Sequence, residues 1–543
     1  MIILLFSLIG IKALFHPGLF TAHDIWHQVV RLYYYSQSVN DGQFPPYWIG
    51  NLANGFGYPL FLFSYNLPWI IGLPFLKLGF DITNTIKILF ILSYILSGFT
   101  MYFFVLSLFK DKLSALLSSI LYLWLPYHFL IIFVSASMGI AFIFAFLPLI
   151  FWGIHLIKEN SRWGIPVLGI GISGVILSHI MHLVFLSPII LLFTIWEFLD
   201  TNKKLVFTKN VVLGVLLGVL LSSFYLIPAT YYNQFTRVHQ EEGITKLYER
   251  NFINFNQLLY SKWGYSPIIN NAKNGEISFQ LGIVQWISII ILFFLIIFKR
   301  LSPKYRHLGI FLLSSFALSI LLTQDSSALI WKTVVKFISI DFPFRLILPA
   351  SFIASVCAGL ILSTFPKGKI LVFVFLILIT VYTNRNHINI NQYTNFPIES
   401  YLDLETEVTT NTFNEYLPIQ ADPRLLNKPW NEVIGKEVKA SNTKHDTNQL
   451  TFDIEAQKEE VNSLGQFYFP GQILYLDNKV VDFDIDKQGR MSFDFPKGKH
   501  KVEIKYQNTP LIKTSLILTM VGLLVLILSP FKQNLLEKKP VLR

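Results

Sequence analysis

The sequence predicts a polytopic α-helical membrane protein, with about twelve transmembrane helices and one small extracytoplasmic β-sandwich domain, and three observations carry that prediction. Of 543 residues, 53% are hydrophobic and only 14% charged, and the mean hydropathy is +0.51. A soluble protein has too little interior for that much apolar side chain, whereas a bilayer solvates whole helices. The apolar residues also fall in runs near the ~20 residues that a helix needs to cross a ~30 Å hydrocarbon core. One long stretch, 385–510, turns polar instead and alternates with the period of a strand. The single cysteine, Cys357, sits in an apolar run and excludes a disulfide scaffold. A net charge of +11 does not indicate nucleic acid, because the basic residues are dispersed between apolar runs.

In chain order, the run Met1 to Phe15 lacks the basic leader and small-residue cleavage site of a signal peptide, so it is read as the first helix. Further spans follow at about 84–108, 113–132, 138–157, 163–179, 183–199, 210–228, 281–298, 308–323, 346–364, 369–384 and 511–530. Alternate loops then collect Lys110, Lys158, Lys203, Arg300, Lys367 and Lys532 close to helix ends, which marks that side as cytoplasmic. The assignment closes only if Leu60 to Leu78, interrupted by Pro68 and Pro74, does not cross. Residues 1–384 are thus a transmembrane module with a first outer loop at 16–83. Residues 385–510 are an extracytoplasmic β-rich domain, and 511–543 a last transmembrane helix with a basic cytoplasmic tail. Strands are expected around Leu450–Ile454, Ile473–Tyr475, Phe483–Ile485, Met491–Phe495 and Val502–Tyr506, with turns at Asp477-Asn478, Gln488-Gly489 and Lys497-Gly498.

The chemistry-bearing residues gather at the outer ends of helices. After Pro17 and Gly18, Thr21 is expected to cap a helix on which Asp24, His27 and Arg31 stand at i, i+3 and i+7, on one face. A carboxylate beside an imidazole and a guanidinium suits a general base acting on an acceptor hydroxyl. The competing reading has Asp24 favouring a helix N-terminus, and His27 and Arg31 lining a solvated face. His23 and His27 have the i, i+4 spacing of metal ligands, but no second carboxylate shares that face, so neither a metal nor another cofactor is expected. His179 and His182 at a helix end read as capping residues or as ligands of a phosphate or a metal. Arg345, after Phe342-Pro343-Phe344, is either a snorkelling cation or a bidentate phosphate ligand. Arg237, His239, Glu241 and Glu242 in loop 229–280 add polar groups, the two glutamates reading as an ordinary solvated loop. The stretches Gly42–Trp48 and Gly55–Pro68 mix glycine, proline and aromatics, as interfacial anchors or ligand contacts. With no phosphate-binding glycine loop, nucleotide-driven transport is not indicated.

With these residues in view, the sequence resembles the multi-helix glycosyltransferases of the GT-C class, which use polyprenyl-phosphate sugars. More closely, it resembles the bacterial membrane proteins filed under a 6-pyruvoyl-tetrahydropterin-synthase-related label. The likeness lies in His23-Asp24, Gly42–Trp48, Gly57–Phe61, His179 to His182, Ser278–Gly282, Asp341–Arg345, Tyr468–Val480 and Pro496–Val502, in that order along the chain. It implies a GT-C-like fold and an inverting transfer in which Asp24 deprotonates the acceptor while the lipid phosphate departs. The implied partners are a polyprenyl-phosphate sugar donor, an extracytoplasmic acceptor (envelope polymer, lipid or protein) and the bilayer of a cell membrane, with no nucleic acid. His23, His27, Arg31, His179, His182, Arg237 and Arg345 are then the candidate substrate contacts. Two departures stand out: Val134–Gly139 replaces an Arg-Gly and an acidic residue, and Gln472 replaces a tryptophan. The alternatives are a transporter or flippase of lipid-linked sugars, which should carry charges at mid-membrane, and a non-catalytic envelope assembly protein.

Overall fold

The structure is a computed structural model, and it describes residues 1–537 apart from 241–245, 267–271, 275–276, 337–340, 366, 406–408, 412 and 436–437. Glu241, Glu242 and the basic tail beyond residue 537 lie outside the described residues. A helix stands in every one of the expected membrane segments. Seven of these, among the described residues, are long and apolar enough to cross a membrane, and the pair Lys112–Leu123 and Pro126–Val134, bent by 44°, is an eighth if it forms one span rather than a re-entrant loop. Ile2–Gly10, Gly164–His179, Ile283–Ile297 and Lys369–Asn384 are shorter, so the count of twelve spans remains an expectation. Leu67–Lys77, with Pro74 inside it, has 11 residues; at ~1.5 Å per residue it reaches about half-way through a bilayer core.

Glycines bring the helices together where lipid offers no hydrophobic drive between them. Met138–Lys158 packs along Gly164–His179, and a Cβ on Gly153 would stand 2.4 Å from the Leu168 nitrogen, one on Gly174 2.1 Å from the Phe146 ring. Ile347–Thr364 runs through the centre and buries nearly every side chain. This hairpin and central helix hold the two helix ends, His179 and Arg345, near one another's level.

The helix that follows Pro17 and Gly18 begins later than its capping signal suggests. Ile25–Asn40 has Asp24 at its N-cap, while Thr21 reaches the Gln392 carbonyl at 3.4 Å instead. Leu19–Phe20 pairs antiparallel with Tyr393–Thr394, which lays the segment after Lys369–Asn384 across the first loop.

Beyond that segment, two antiparallel sheets pack face to face. One has the order Val433–Ile434, Glu460–Phe467, Arg490–Phe495, Asp484–Ile485; the other runs Val438–His445, Gln449–Ala456, Gly498–Tyr506, Gln472–Leu476, Lys479–Val481. Alternate residues Leu450, Phe452, Ile454, Val502 and Ile504 form the core between them. The Asp477-Asn478 turn has φ of 48° and 65°, the left-handed pair that a tight hairpin requires. The glycine-aromatic stretches of the first loop turn out to be the seat of this sandwich. Trp48 stacks on Phe469 (5.9 Å) and Tyr506 (6.1 Å), Phe56 on Phe467 (4.9 Å), and Gly57, at φ +90°, leaves room for the Trp48 ring.

Candidate active site

Four segments meet around a cavity of about 340 Å³: the start of Ile25–Asn40, the chain at 63–65, the junction between Gly164–His179 and Met181–Asp200, and Thr410, Asn411, Phe413, Glu415 and Tyr416, with Asp341 and Phe342 also lining it. The backbone N–H groups of His23 and Asp24 donate to the carbonyls of Val134 and Ser135, each at 2.9 Å, so the first turn is pinned to the end of the π-helical turn Leu130–Val134. The Asp24 side chain makes no capping hydrogen bond and lines the cavity. A carboxylate one position before a helix also sits in the favourable field of its N-terminus.

One turn and two turns on, His27 and Arg31 line the same cavity. Arg31 holds the far wall in place. Its Nε donates to Thr410 Oγ1 (3.1 Å), and its Nη2 to the Thr410 carbonyl and Asn411 Oδ1, both at 2.7 Å. These bonds fix Thr410 in the left-handed region, φ +60°, a conformation that a β-branched residue adopts only when its surroundings impose it. The guanidinium also lies over the Tyr65 ring, 5.7 Å from its centre. Tyr65 in turn donates to Gln28 Oε1 (2.8 Å) and stacks on His179 at 6.4 Å. Gly139 makes the approach possible, since a Cβ there would come within 2.3 Å of the Ser178 carbonyl.

On the other side, Asn411 Nδ2 donates to Glu415 Oε1 at 2.9 Å. Burial holds the Glu415 carboxyl above the usual carboxylate range, with Arg31 acting in the opposite sense. Arg345 is nearly fully buried just behind the cavity, paired with Asp341 at 2.7 Å and lying over Phe342 at 5.1 Å; Asp341 and Phe342 themselves line the space.

Of the residues singled out in the sequence, Asp24, His27, Arg31 and His179 therefore line one cavity, and Arg345 backs it. His182 is wholly buried, edge-on to His179 at 4.7 Å, and does not line the cavity. His23 donates to the Tyr265 carbonyl (3.0 Å) and Arg237 to the Ala421 carbonyl (3.2 Å); neither lines the cavity. Thr410, Asn411, Glu415 and Tyr416 were not foreseen, and the only local hint is the aromatic-acidic run Phe413-Asn-Glu-Tyr416 ahead of the first sandwich strand. Among the described residues, no three His, Cys, Asp or Glu side chains form a group that could hold a metal. The cavity thus combines the uncapped Asp24 carboxylate, the Arg31 guanidinium and the aromatic side chains of Phe63, Tyr65, Tyr225 and Tyr416.

No family model matches the chain, and no curated protein does. Among solved structures, it is similar to the archaeal oligosaccharyltransferase AglB from Archaeoglobus fulgidus in complex with an inhibitory peptide and a dolichol-phosphate, with a TM-score of 0.40, 11% identity, and coverage of 77% of this chain and 60% of that one. The Archaeoglobus fulgidus oligosaccharyltransferase tethered to an acceptor peptide gives 0.39, 10%, 77% and 60%, and its complex with Zn and sulfate 0.39, 13%, 79% and 58%. The chain spans about 60% of the length of the first of these structures. At scores of this size, function has to be argued from the cavity itself.

Proposed function

We propose that the protein is an integral membrane glycosyltransferase that moves a sugar from a polyprenyl-phosphate donor to an acceptor on the extracytoplasmic side, with Asp24 as general base. The observation that supports this most is the Asp24 carboxylate: it stands at a helix N-cap, forms no capping hydrogen bond, and opens into a cavity shared with Arg31 and His179. In the step itself, Asp24 takes the proton of the acceptor hydroxyl as that oxygen attacks the anomeric carbon. The anomeric C–O bond to phosphate breaks on the opposite face, polyprenyl phosphate leaves with the electron pair, and the configuration inverts. A base placed this way contributes about 10²–10⁴-fold. Arg345 is the donor-phosphate contact of this reading: Asp341 engages one of its terminal nitrogens, and a guanidinium has further N–H groups in the same plane. The face carrying the β-sandwich is then extracytoplasmic, and the basic helix ends at 299–306 are cytoplasmic.

The test is a transfer assay with purified protein in lipid, using polyprenyl-phosphate sugars labelled in the sugar. Label appearing on an acceptor with release of polyprenyl phosphate is the expected result. Movement of the intact labelled lipid between leaflets would replace this reading with transport, and retention of an envelope polymer with neither activity would replace it with assembly.

A further inference from the structure

The carboxyl of Glu415 has no role in the transfer step. A lipid phosphate leaves as a stable anion and needs no proton from an acid, unlike the alkoxide leaving groups for which glycosidases keep a second carboxyl. Yet Glu415 lines the cavity, and its two oxygens are in different situations. Oε1 accepts from Asn411, whereas Oε2 is buried and, among the described residues, meets no hydrogen-bond partner. Buried polar atoms are ordinarily paired, so an orphan at the wall of a cavity calls for an occupant that supplies the bond. Asn411 is not free to swing away, because its Oδ1 is held by Arg31 Nη2 at 2.7 Å and its Nδ2 is thereby turned toward Glu415.

The residues form an arc around the space: His179 stacked on Tyr65, Tyr65 under Arg31, Arg31 bonded to Asn411, Asn411 bonded to Glu415. Arg31 is the cation of the arc, with Asn411 between it and the Glu415 carboxyl. An anion suits the Arg31 side. Beside Glu415 a hydroxyl group suits the space, which Phe413 and Tyr416 also line. The volume of about 340 Å³ is near the lower end of the ~300–1,000 Å³ of small-ligand sites, room for one ring and its phosphate.

We infer that Glu415, oriented by Asn411, is the subsite that reads a hydroxyl of the donor sugar, and that the donor carries a single sugar ring rather than an oligosaccharide. This deepens the glycosyltransferase reading and depends on it. Burial raises the carboxyl above the usual carboxylate range, and beside that shift stands the geometry: Oε1 is already engaged by Asn411 and Oε2 is left for the hydroxyl. The experiment measures donor KM and kcat for wild type, Glu415→Ala and Glu415→Gln with polyprenyl-phosphate hexoses, their monodeoxy analogues and one oligosaccharide-bearing donor. Loss of one such bond should raise the donor KM of Glu415→Ala about tenfold with kcat nearly unchanged. Glu415→Gln, which keeps a donor and an acceptor, should stay close to wild type. One monodeoxy donor should be used equally by wild type and Glu415→Ala, because the bond it lacks is the one the variant lacks. The monosaccharide donors should be preferred throughout. An unchanged KM in Glu415→Ala, a loss in Glu415→Gln as large as in Glu415→Ala, a fall in kcat alone, or equal use of the oligosaccharide donor would each overturn the assignment while leaving an active wild type, and so the transferase reading, intact. A wild type that transfers from no donor overturns both together.

Discussion

The helix Met181–Asp200, of 20 residues, ends in polar groups on both sides, and the two ends differ in how those groups are used. At its C-terminal end the charges close on themselves. Glu197, wholly buried, accepts from His155 Nδ1 at 2.6 Å, and Lys158 stands 2.8 Å from Asp200 and 3.3 Å from Glu159. Two helices supply both signs. At its N-terminal end, the carboxyl groups of Asp24 and Glu415 and the His179 imidazole face a cavity and come from a helix cap, a loop and a helix break. A closed network holds helices together; an open one is available to a ligand. A strong charge pair is therefore a poor guide to the working site here, and an orphaned oxygen alone is no better, since Glu197 Oε2 also lacks a hydrogen-bond partner among the described residues; what sets the open end apart is the cavity its groups line.

The comparison breaks first at the open end. Asp24→Asn should fold as wild type does and lose transfer by about 10²–10⁴-fold, read as kcat in a labelled-donor assay with thermal unfolding followed in parallel. The closed end should answer in the opposite way. Glu197→Ala removes one partner of a buried pair and should destabilise the protein by about 3–5 kcal/mol, seen as a lowered Tm in detergent, while the folded fraction keeps its kcat. A kcat loss beyond that fraction would make the two ends alike. At intermediate size, Arg345→Lys should raise the donor KM about tenfold, or ~1.4 kcal/mol, because an ammonium cannot reach phosphate and Asp341 in one plane. Free substitution by Lys would make Arg345 an anchor of the kind found at the closed end.

The smallest effect concerns pH. Burial raises the Glu415 carboxyl above its ordinary 4.5, so the folded protein holds a proton that the unfolded chain has released. The stability this proton gives is present in full below about pH 4.5 and is lost as the pH climbs to the raised value. Arg31, reaching it through Asn411, limits the rise, and Tyr58 and Tyr416 are the other titratable groups nearby. The Tm of wild type relative to Glu415→Gln should therefore fall as the pH rises above about 4.5, and a flat difference would show an ordinary carboxylate.

How much of this could be read from the chain follows from distance along it. Helices of bilayer length and strands such as Gln449–Ala456 announce themselves by local period. Val438–His445 did not, being an edge strand exposed along most of its length, nor did Glu460–Phe467, which buries Asn462 and Gln466 among its apolar residues. Asp24, His27 and Arg31 share a face by helical spacing, so they were visible together. Thr410 lies 379 positions from Arg31, and no spacing rule spans that. His179 and His182 stand three positions apart and touch, yet only His179 lines the cavity, a difference that spacing does not signal.

The most direct measurement of the central claim is a cryo-EM structure with a polyprenyl-phosphate sugar bound. The account predicts the phosphate within hydrogen-bond reach of Arg345 or His179, one sugar ring in the cavity, and its anomeric carbon placed so that an acceptor oxygen held by Asp24 would lie ~3–3.5 Å away. A phosphate seated elsewhere on the membrane surface, or a sugar ring whose reacting face turns away from Asp24, would contradict it.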